Sequence, residues 1–192
     1  GWWRFAHDIE VIDLNGNLIK TVANQPLANE VPVRGVITGP RNVNWQPTAG
    51  HTLFWREALD GGNPLSKVDF RDKLVKWQAP FTAEKEEVFK SEHRIQMAIW
   101  GESNGMLMVY QRERMRRWRH IWLLNVDKGT AKKWFDFSEN DRYNDPGYPI
   151  STLLKNGKYA IKVDGESVYF RGQGGSIDGD RPFVDRRNFK TG

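Results

Sequence analysis

The amino-acid sequence predicts an all-β chain, a partial β-propeller built of four-stranded antiparallel blades. Three observations predict it. The first is an internal repeat. Trp45 to Trp55 reads Trp-Gln-Pro-Thr-Ala-Gly-His-Thr-Leu-Phe-Trp, and Trp100 to Tyr110 reads Trp-Gly-Glu-Ser-Asn-Gly-Met-Leu-Met-Val-Tyr. At a spacing of 55 residues (45 to 100), Trp45 matches Trp100, Gly50 matches Gly105, Leu53 matches Met108, Phe54 matches Val109 and Trp55 matches Tyr110. Each copy reads as a strand ending in Trp, a polar turn closed by Gly, and an apolar strand. Such a unit, recurring every roughly 40–55 residues, is what a propeller blade looks like in sequence. The second observation is punctuation: 18 Gly and 9 Pro break the chain as short strands require. The third is the core supply. Hydrophobic residues make up 39% and there are nine Trp. Trp45, Trp55, Trp77, Trp100, Trp118, Trp122 and Trp134 read as packing between blades, where large aromatics fill space.

The elements follow in order. Asp8 to Leu14 and Leu18 to Val22 flank Asn15-Gly16, whose residues tolerate the positive φ of a two-residue type I′ hairpin turn. Gln25 to Arg41 carries Pro26, Pro32 and Pro40 and reads as a connection with one short strand, Val33 to Thr38. Asn42 to Gln46, Thr52 to Ala58, Lys67 to Trp77 and Glu86 to Ser91 make one set of four strands. Arg94 to Trp100, Met106 to Gln111, His120 to Asn125 and Lys132 to Phe137 make the next, with the last turn at Lys128-Gly129. Asp141 to Ser151 is a Pro/Gly-rich loop. Leu153 to Phe170 opens a further blade around Asn156-Gly157 and Asp164-Gly165, and Gly172 to Gly192 reads as irregular. The domain map is therefore one partial propeller: residues 1–30 as outer strands of a blade, 31–92 and 93–140 as blades, 141–192 as the start of another with its tail. A closed propeller takes about 4–8 blades. Apolar faces and strand edges left open would be covered by the rest of a larger propeller or by self-association of copies.

Composition sets limits on chemistry. The formal net charge of +5 favours acidic partners or solubility and does not by itself indicate nucleic acid. With no Cys there is no disulfide framework, thiol nucleophile or Cys-based zinc site. No run of 18 apolar residues exists, and no membrane partner is expected. The N-terminus lacks the basic and apolar regions of a signal peptide and does not begin with Met, so excision from a longer protein is expected.

Few residues suggest chemistry. Gly101-Glu102-Ser103-Asn104-Gly105 matches the Gly-x-Ser-x-Gly string of a nucleophile elbow. An elbow joins a strand to a helix, with the acid and then His later in the chain. Here Met106 to Tyr110 looks like a strand, and His120 precedes any acid in the required order, so a polar hairpin turn is the reading. His7, His51, His93 and His120 show no ligand spacing, and the acidic turns Asp141 to Asp145 and Asp178 to Asp180 do not match a calcium loop. No metal, no cofactor and no phosphate loop are expected. The strongest charge cluster is Arg112 to His120. It reads as the solvated edge of a hairpin, as a carboxylate-binding patch, or as a nucleic-acid surface with stacking Trp.

Several segments resemble a known family. Glu57-Ala58-Leu59-Asp60-Gly61-Gly62, Asn44-Trp45, Arg116-Arg117-Trp118-Arg119 and Tyr143-Asn144-Asp145-Pro146-Gly147-Tyr148-Pro149 resemble the N-terminal propeller of the prolyl oligopeptidase family, most of all its glutamyl endopeptidase-like subgroup. The resemblance runs from about Val31 to Ile150. It implies a serine peptidase whose propeller caps a C-terminal α/β-hydrolase domain and restricts entry to short or flexible peptides. This sequence stops before such a domain, so no catalytic residue carries over. The expectation is a non-catalytic segment that gates peptide access, in a parent of the kind often exported in bacteria. Its expected partners are peptide substrate and the hydrolase domain, not nucleic acid. Arg116, Arg117 and Arg119 are the candidates for meeting an acidic side chain or a peptide C-terminus. A protein-interaction propeller with no attached enzyme is the alternative.

Overall fold

The computed structural model describes residues 2–102 and 105–191. After a 3-10 turn at Trp2–Arg4, the chain runs through β1 (His7–Ile12), β2 (Leu18–Gln25), β3 (Arg41–Trp45), β4 (Thr52–Ala58), β5 (Asp72–Gln78) and β6 (Glu86–Ser91). It continues through β7 (Arg94–Trp100), β8 (Met106–Glu113), β9 (Trp118–Asn125), β10 (Thr130–Ser138), β11 (Tyr148–Pro149), β12 (Ser151–Leu153), β13 (Tyr159–Ile161), β14 (Val163–Asp164), β15 (Ser167–Gly172), β16 (Gly175–Ser176), β17 (Gly179–Asp180) and β18 (Phe183–Asn188). The chain is all-β, and its two longest sheets are antiparallel four-stranded meanders, β3-β4-β5-β6 and β7-β8-β9-β10, the topology of propeller blades.

Two compact units divide the chain: Gly1–Trp45 with His51–Glu92, and Gln46–Gly50 with His93–Gly192. In the first, the β1-β2 hairpin packs on one face of β3–β6. Val11 and Val22 meet Leu53, Trp55, Val75, Trp77 and Phe81 in a common core. Trp55 and Trp77 meet edge to face at 6.4 Å, and Trp77 donates its indole N–H to the Ala83 carbonyl at 2.8 Å. Burying each such ring contributes on the order of 1.5–3 kcal/mol. In the second unit, Met106, Met108, Tyr110, Ile121 and Phe137 pack against Ile161, Val168 and Phe170 of the following strands. There β15 is central, with β18 on one side and β11 and β14 on the other.

The register amends the internal repeat. Trp45 pairs with Leu53, and Trp100 pairs with Leu107. The Trp positions are 55 apart, but the following strands are offset by 54 (53 to 107), because the second turn is one residue shorter. A one-residue slip moves every side chain to the other face. Trp55 therefore corresponds to Val109, and Tyr110 lies on the opposite face. This is consistent with the packing: Leu53 and Trp55 face the preceding hairpin, whereas Met106, Met108 and Tyr110 face the following strands.

Four local expectations are corrected. The β1-β2 turn is a three-residue loop, Leu14 to Gly16, not a two-residue Asn15-Gly16 turn. Gly16 donates to the Asp13 carbonyl, Asp13 donates back to the Asn17 carbonyl, and only Gly16 takes a positive φ, +86°. The Asp13 carboxylate accepts the backbone N–H of both Asn15 and Asn17 at 2.8 Å, which starts the turn one residue early. Val33 to Thr38 is not a strand: Pro32 to Gly35 turns, and Val36 donates to the Gly62 carbonyl. The strand expected from Lys67 begins at Asp72, because Arg71 reaches back to Asp60 and Ser66 and holds the preceding residues in a loop. The tail is not irregular. Phe183–Asn188 pairs with the whole of β15, Ser167 against Asn188 through Gly172 against Phe183.

Candidate functional site

The arginine cluster lies on the β8-β9 hairpin of the second unit. Glu113 pairs with Trp118, and the tip is Arg114 to Arg117. Arg117 adopts φ +51°, a conformation costly for a residue with a Cβ. It is held there from both sides: its N–H donates to the Arg114 carbonyl at 3.2 Å, and its own carbonyl accepts from Glu139 N–H at 2.7 Å.

The arginines separate into stem and tip. At the stem, Arg112 and Arg119 sit opposite one another across the ladder and converge on Glu139. Arg112 grips both carboxylate oxygens, Nε to Oε1 and a terminal nitrogen to Oε2, each at 2.6 Å. Arg119 adds Nε to Oε1 at 3.2 Å. The Glu139 side chain is only 7% exposed, and its hydrogen bond from Arg112 holds its carboxyl below the usual glutamate value. Burial opposes the Arg119 charge, yet Glu139 and Tyr148 outweigh it and raise the Arg119 pKa. Arg119 also reaches the Tyr148 hydroxyl at 3.4 Å. At the tip, Arg116 meets Glu113 at 3.0 Å and lies over the Trp118 ring at 4.9 Å. Arg117 is exposed and makes no side-chain ion pair among the described residues. Of Arg116, Arg117 and Arg119, the structure thus makes Arg119 a stem contact, Arg116 a shared one, and leaves the Arg117 guanidinium in solvent.

The loop from Asp141 to Pro149 places Tyr148 beside the stem. Asp141 accepts the backbone N–H of Tyr143 and Asn144 and the Asn144 side chain, and Asp145 accepts Gly147 N–H at 2.8 Å. Gly147 has φ +77°, and a Cβ there would lie 2.2 Å from the Arg171 carbonyl oxygen, so only glycine fits. Tyr148 stacks on Tyr110 at 6.3 Å, and burial pushes the Tyr110 hydroxyl well above the ordinary tyrosine pKa. A cleft of about 580 Å³ opens alongside, lined by Asp145, Tyr148, Arg171 and Phe183 among others.

Beside this hairpin, His93, just before β7, joins Glu113 and His120, and each brings one ligand atom within 4.8 Å of the others. Ligand spacing along the chain does not show this group, because antiparallel pairing assembles it across strands. The signal available in sequence was the shared face: Glu113 pairs with Trp118, and His120 lies two residues further along β9. Ser103 lies outside the described residues. The element after it, β8, is a strand and not the helix of a nucleophile elbow.

The Glu-Ala-Leu-Asp-Gly-Gly segment has an architectural place in the first unit. Asp60 accepts Gly62 N–H at 3.0 Å and pairs with Arg71 at 3.0 Å, closing the loop before β5. Glu57 accepts the Trp55 indole N–H at 2.6 Å.

Two curated plant proteins match the chain almost end to end. A probable glutamyl endopeptidase, chloroplastic, of Oryza sativa subsp. japonica is 29% identical over 202 residues, covering 98% of this chain and 21% of that protein. A protein of the same name from Arabidopsis thaliana is 30% identical over 203 residues, again covering 98% and 21%. The chain spans about a fifth of the length of these relatives. No family model matches it. The crystal structure of TolB from Acinetobacter baumannii is similar with a TM-score of 0.36 and 12% identity, covering 97% of this chain and 55% of that one.

Proposed function

We propose that this chain is the non-catalytic propeller segment of a serine peptidase of the prolyl oligopeptidase family, glutamyl endopeptidase-like, and that it gates peptide access to an α/β-hydrolase domain carried by the rest of the parent. The observation that carries the reading is the match of 98% of the chain to two proteins named probable glutamyl endopeptidase, of which it makes up only 21%. The β8-β9 hairpin supplies the contact chemistry. Arg117, in solvent at a rigid tip, meets a carboxylate of the peptide. Arg116 assists from its place over Trp118, and Arg119 positions the hairpin through Glu139. Loops held by a rigid scaffold are where binding residues concentrate, and a guanidinium recognises a carboxylate bidentately.

The test of the non-catalytic role is fluorophosphonate labelling read by intact mass. An activated serine reacts stoichiometrically and an ordinary one does not. The chain is expected to take no adduct, whereas the full-length parent takes one outside this segment. An adduct on Ser103 would overturn the reading.

A further inference from the structure

We propose that His93, Glu113 and His120 form a binding site for a divalent transition metal of the zinc class. Three side chains of the second unit converge there, with ligand atoms within 4.8 Å of one another. They come from three places in the ladder. Glu113 ends β8, His120 lies on the same face of β9, and His93 immediately precedes β7, whose first residue Arg94 pairs with Arg112.

A second observation points to a ligand. The His120 side chain is 6% exposed, and neither ring nitrogen has a hydrogen-bond partner. Buried polar atoms are rarely left so. Its Nδ1 lies 3.2 Å from the Asp136 carboxylate in poor hydrogen-bond alignment, leaving Nε2 for an ion. Asp136 is itself oriented by the Trp118 indole N–H and the Lys133 ammonium. A carboxylate behind a metal-bound imidazole is the usual outer shell of such sites, fixing the tautomer and raising ligand basicity. Burial holds the His120 pKa below its usual value despite the pull of Asp136, with His93 and Lys133 adding to the depression and Glu113 opposing it.

Two imidazoles and one carboxylate, with a position left open, are a donor set suited to zinc and its neighbours. Tetrahedral zinc places its ligand atoms about 3.3 Å apart, so the three groups must close by roughly 1.5 Å from their widest separation. The His rings stack at 4.8 Å and 11°, so one must turn to aim its lone pair at the ion. His93 lies outside the strand and is half-buried, and it is the ring that turns. Arg116 holds one oxygen of Glu113 and leaves the other for the metal. An ion here would tie the start of β7 to the base of the arginine tip.

The experiment is titration of the tag-free, chelator-treated chain with Zn²⁺, followed by calorimetry and thermal unfolding, and with Co²⁺, followed by visible absorption. One equivalent, a raised unfolding midpoint and d–d bands of low-symmetry cobalt are expected. His93→Gln should weaken zinc binding at least ~100-fold and Asp136→Asn about 10–100-fold, while His51→Gln changes nothing. His120→Gln should match His93→Gln. Because His120 is buried, the half-buried His93 decides the matter if that variant fails to fold. Absence of cobalt bands, or zinc affinity that survives His93→Gln in folded protein, would overturn the site.

Discussion

In the first unit, Arg41 is buried together with its carboxylate; on the β8-β9 hairpin, arginine is divided between a paired stem and an exposed tip. Arg41 meets Asp72 at 2.5 Å with side chains 10% and 0% exposed, and Asp60 with Arg71 closes the neighbouring loop. Arg112 and Arg119 share Glu139, while Arg114 and Arg117 extend into solvent. The residue type is the same throughout. What differs is whether a carboxylate lies within reach of the guanidinium. Buried pairs fix architecture, since removing one partner strands a charge, whereas the Arg117 guanidinium is exposed on a strained, doubly tethered backbone.

The largest expected effect is in the first unit. Asp72→Ala removes the carboxylate from buried Arg41 and should cost about 3–5 kcal/mol in chemical denaturation. A loss under 1 kcal/mol would mean that this pair is not architectural, and the contrast with the hairpin would fail.

The stem comes next. Glu139→Gln removes the charge shared by Arg112 and Arg119 and should cost about 1.5–3 kcal/mol at pH 7. The folded-state pKa of Glu139 is depressed, chiefly by Arg112. Its contribution is therefore complete above the usual value of 4.5 and is lost as pH falls through the lower folded value. Unfolding midpoints measured between pH 7 and pH 3 should show wild type and variant converging in acid. Parallel curves would contradict the pairing.

The tip should matter least for stability. Arg117→Ala is expected to change unfolding free energy by less than about 0.5 kcal/mol, as for other exposed positions. Gly at this position should relieve its positive φ and stabilise by up to about 1 kcal/mol. A large loss in Arg117→Ala would show that the tip, like the stem, serves the fold.

Much of the fold was legible in the sequence where apolar runs alternate with turn residues. Glu86 to Ser91 and Arg94 to Trp100 are strands with the bounds expected from the sequence. Misreadings occurred where a side chain rather than the pattern sets the backbone. Asp13 shifted the first turn, and Arg71 delayed β5. The final strand, Phe-Val-Asp-Arg-Arg-Asn, has too few apolar residues to stand out, and it forms because β15 presents an edge for it. At the site, the arginine run was visible but its division was not. Glu139 lies 20 residues from Arg119 and reaches it only through the β9-β10 pairing. The two histidines are 27 apart (93 to 120), and cross-strand convergence leaves no local spacing to read.

The most direct test of the stem-and-tip distinction is kcat/KM of the full-length parent on matched acidic and neutral peptides, for Arg117→Ala against wild type. If Arg117 meets a substrate carboxylate, the acidic peptide should lose about 1.5–3 kcal/mol of transition-state binding, roughly a 10- to 150-fold loss, while the neutral peptide is unaffected. An unchanged acidic-to-neutral ratio in a stably folded variant would contradict the account.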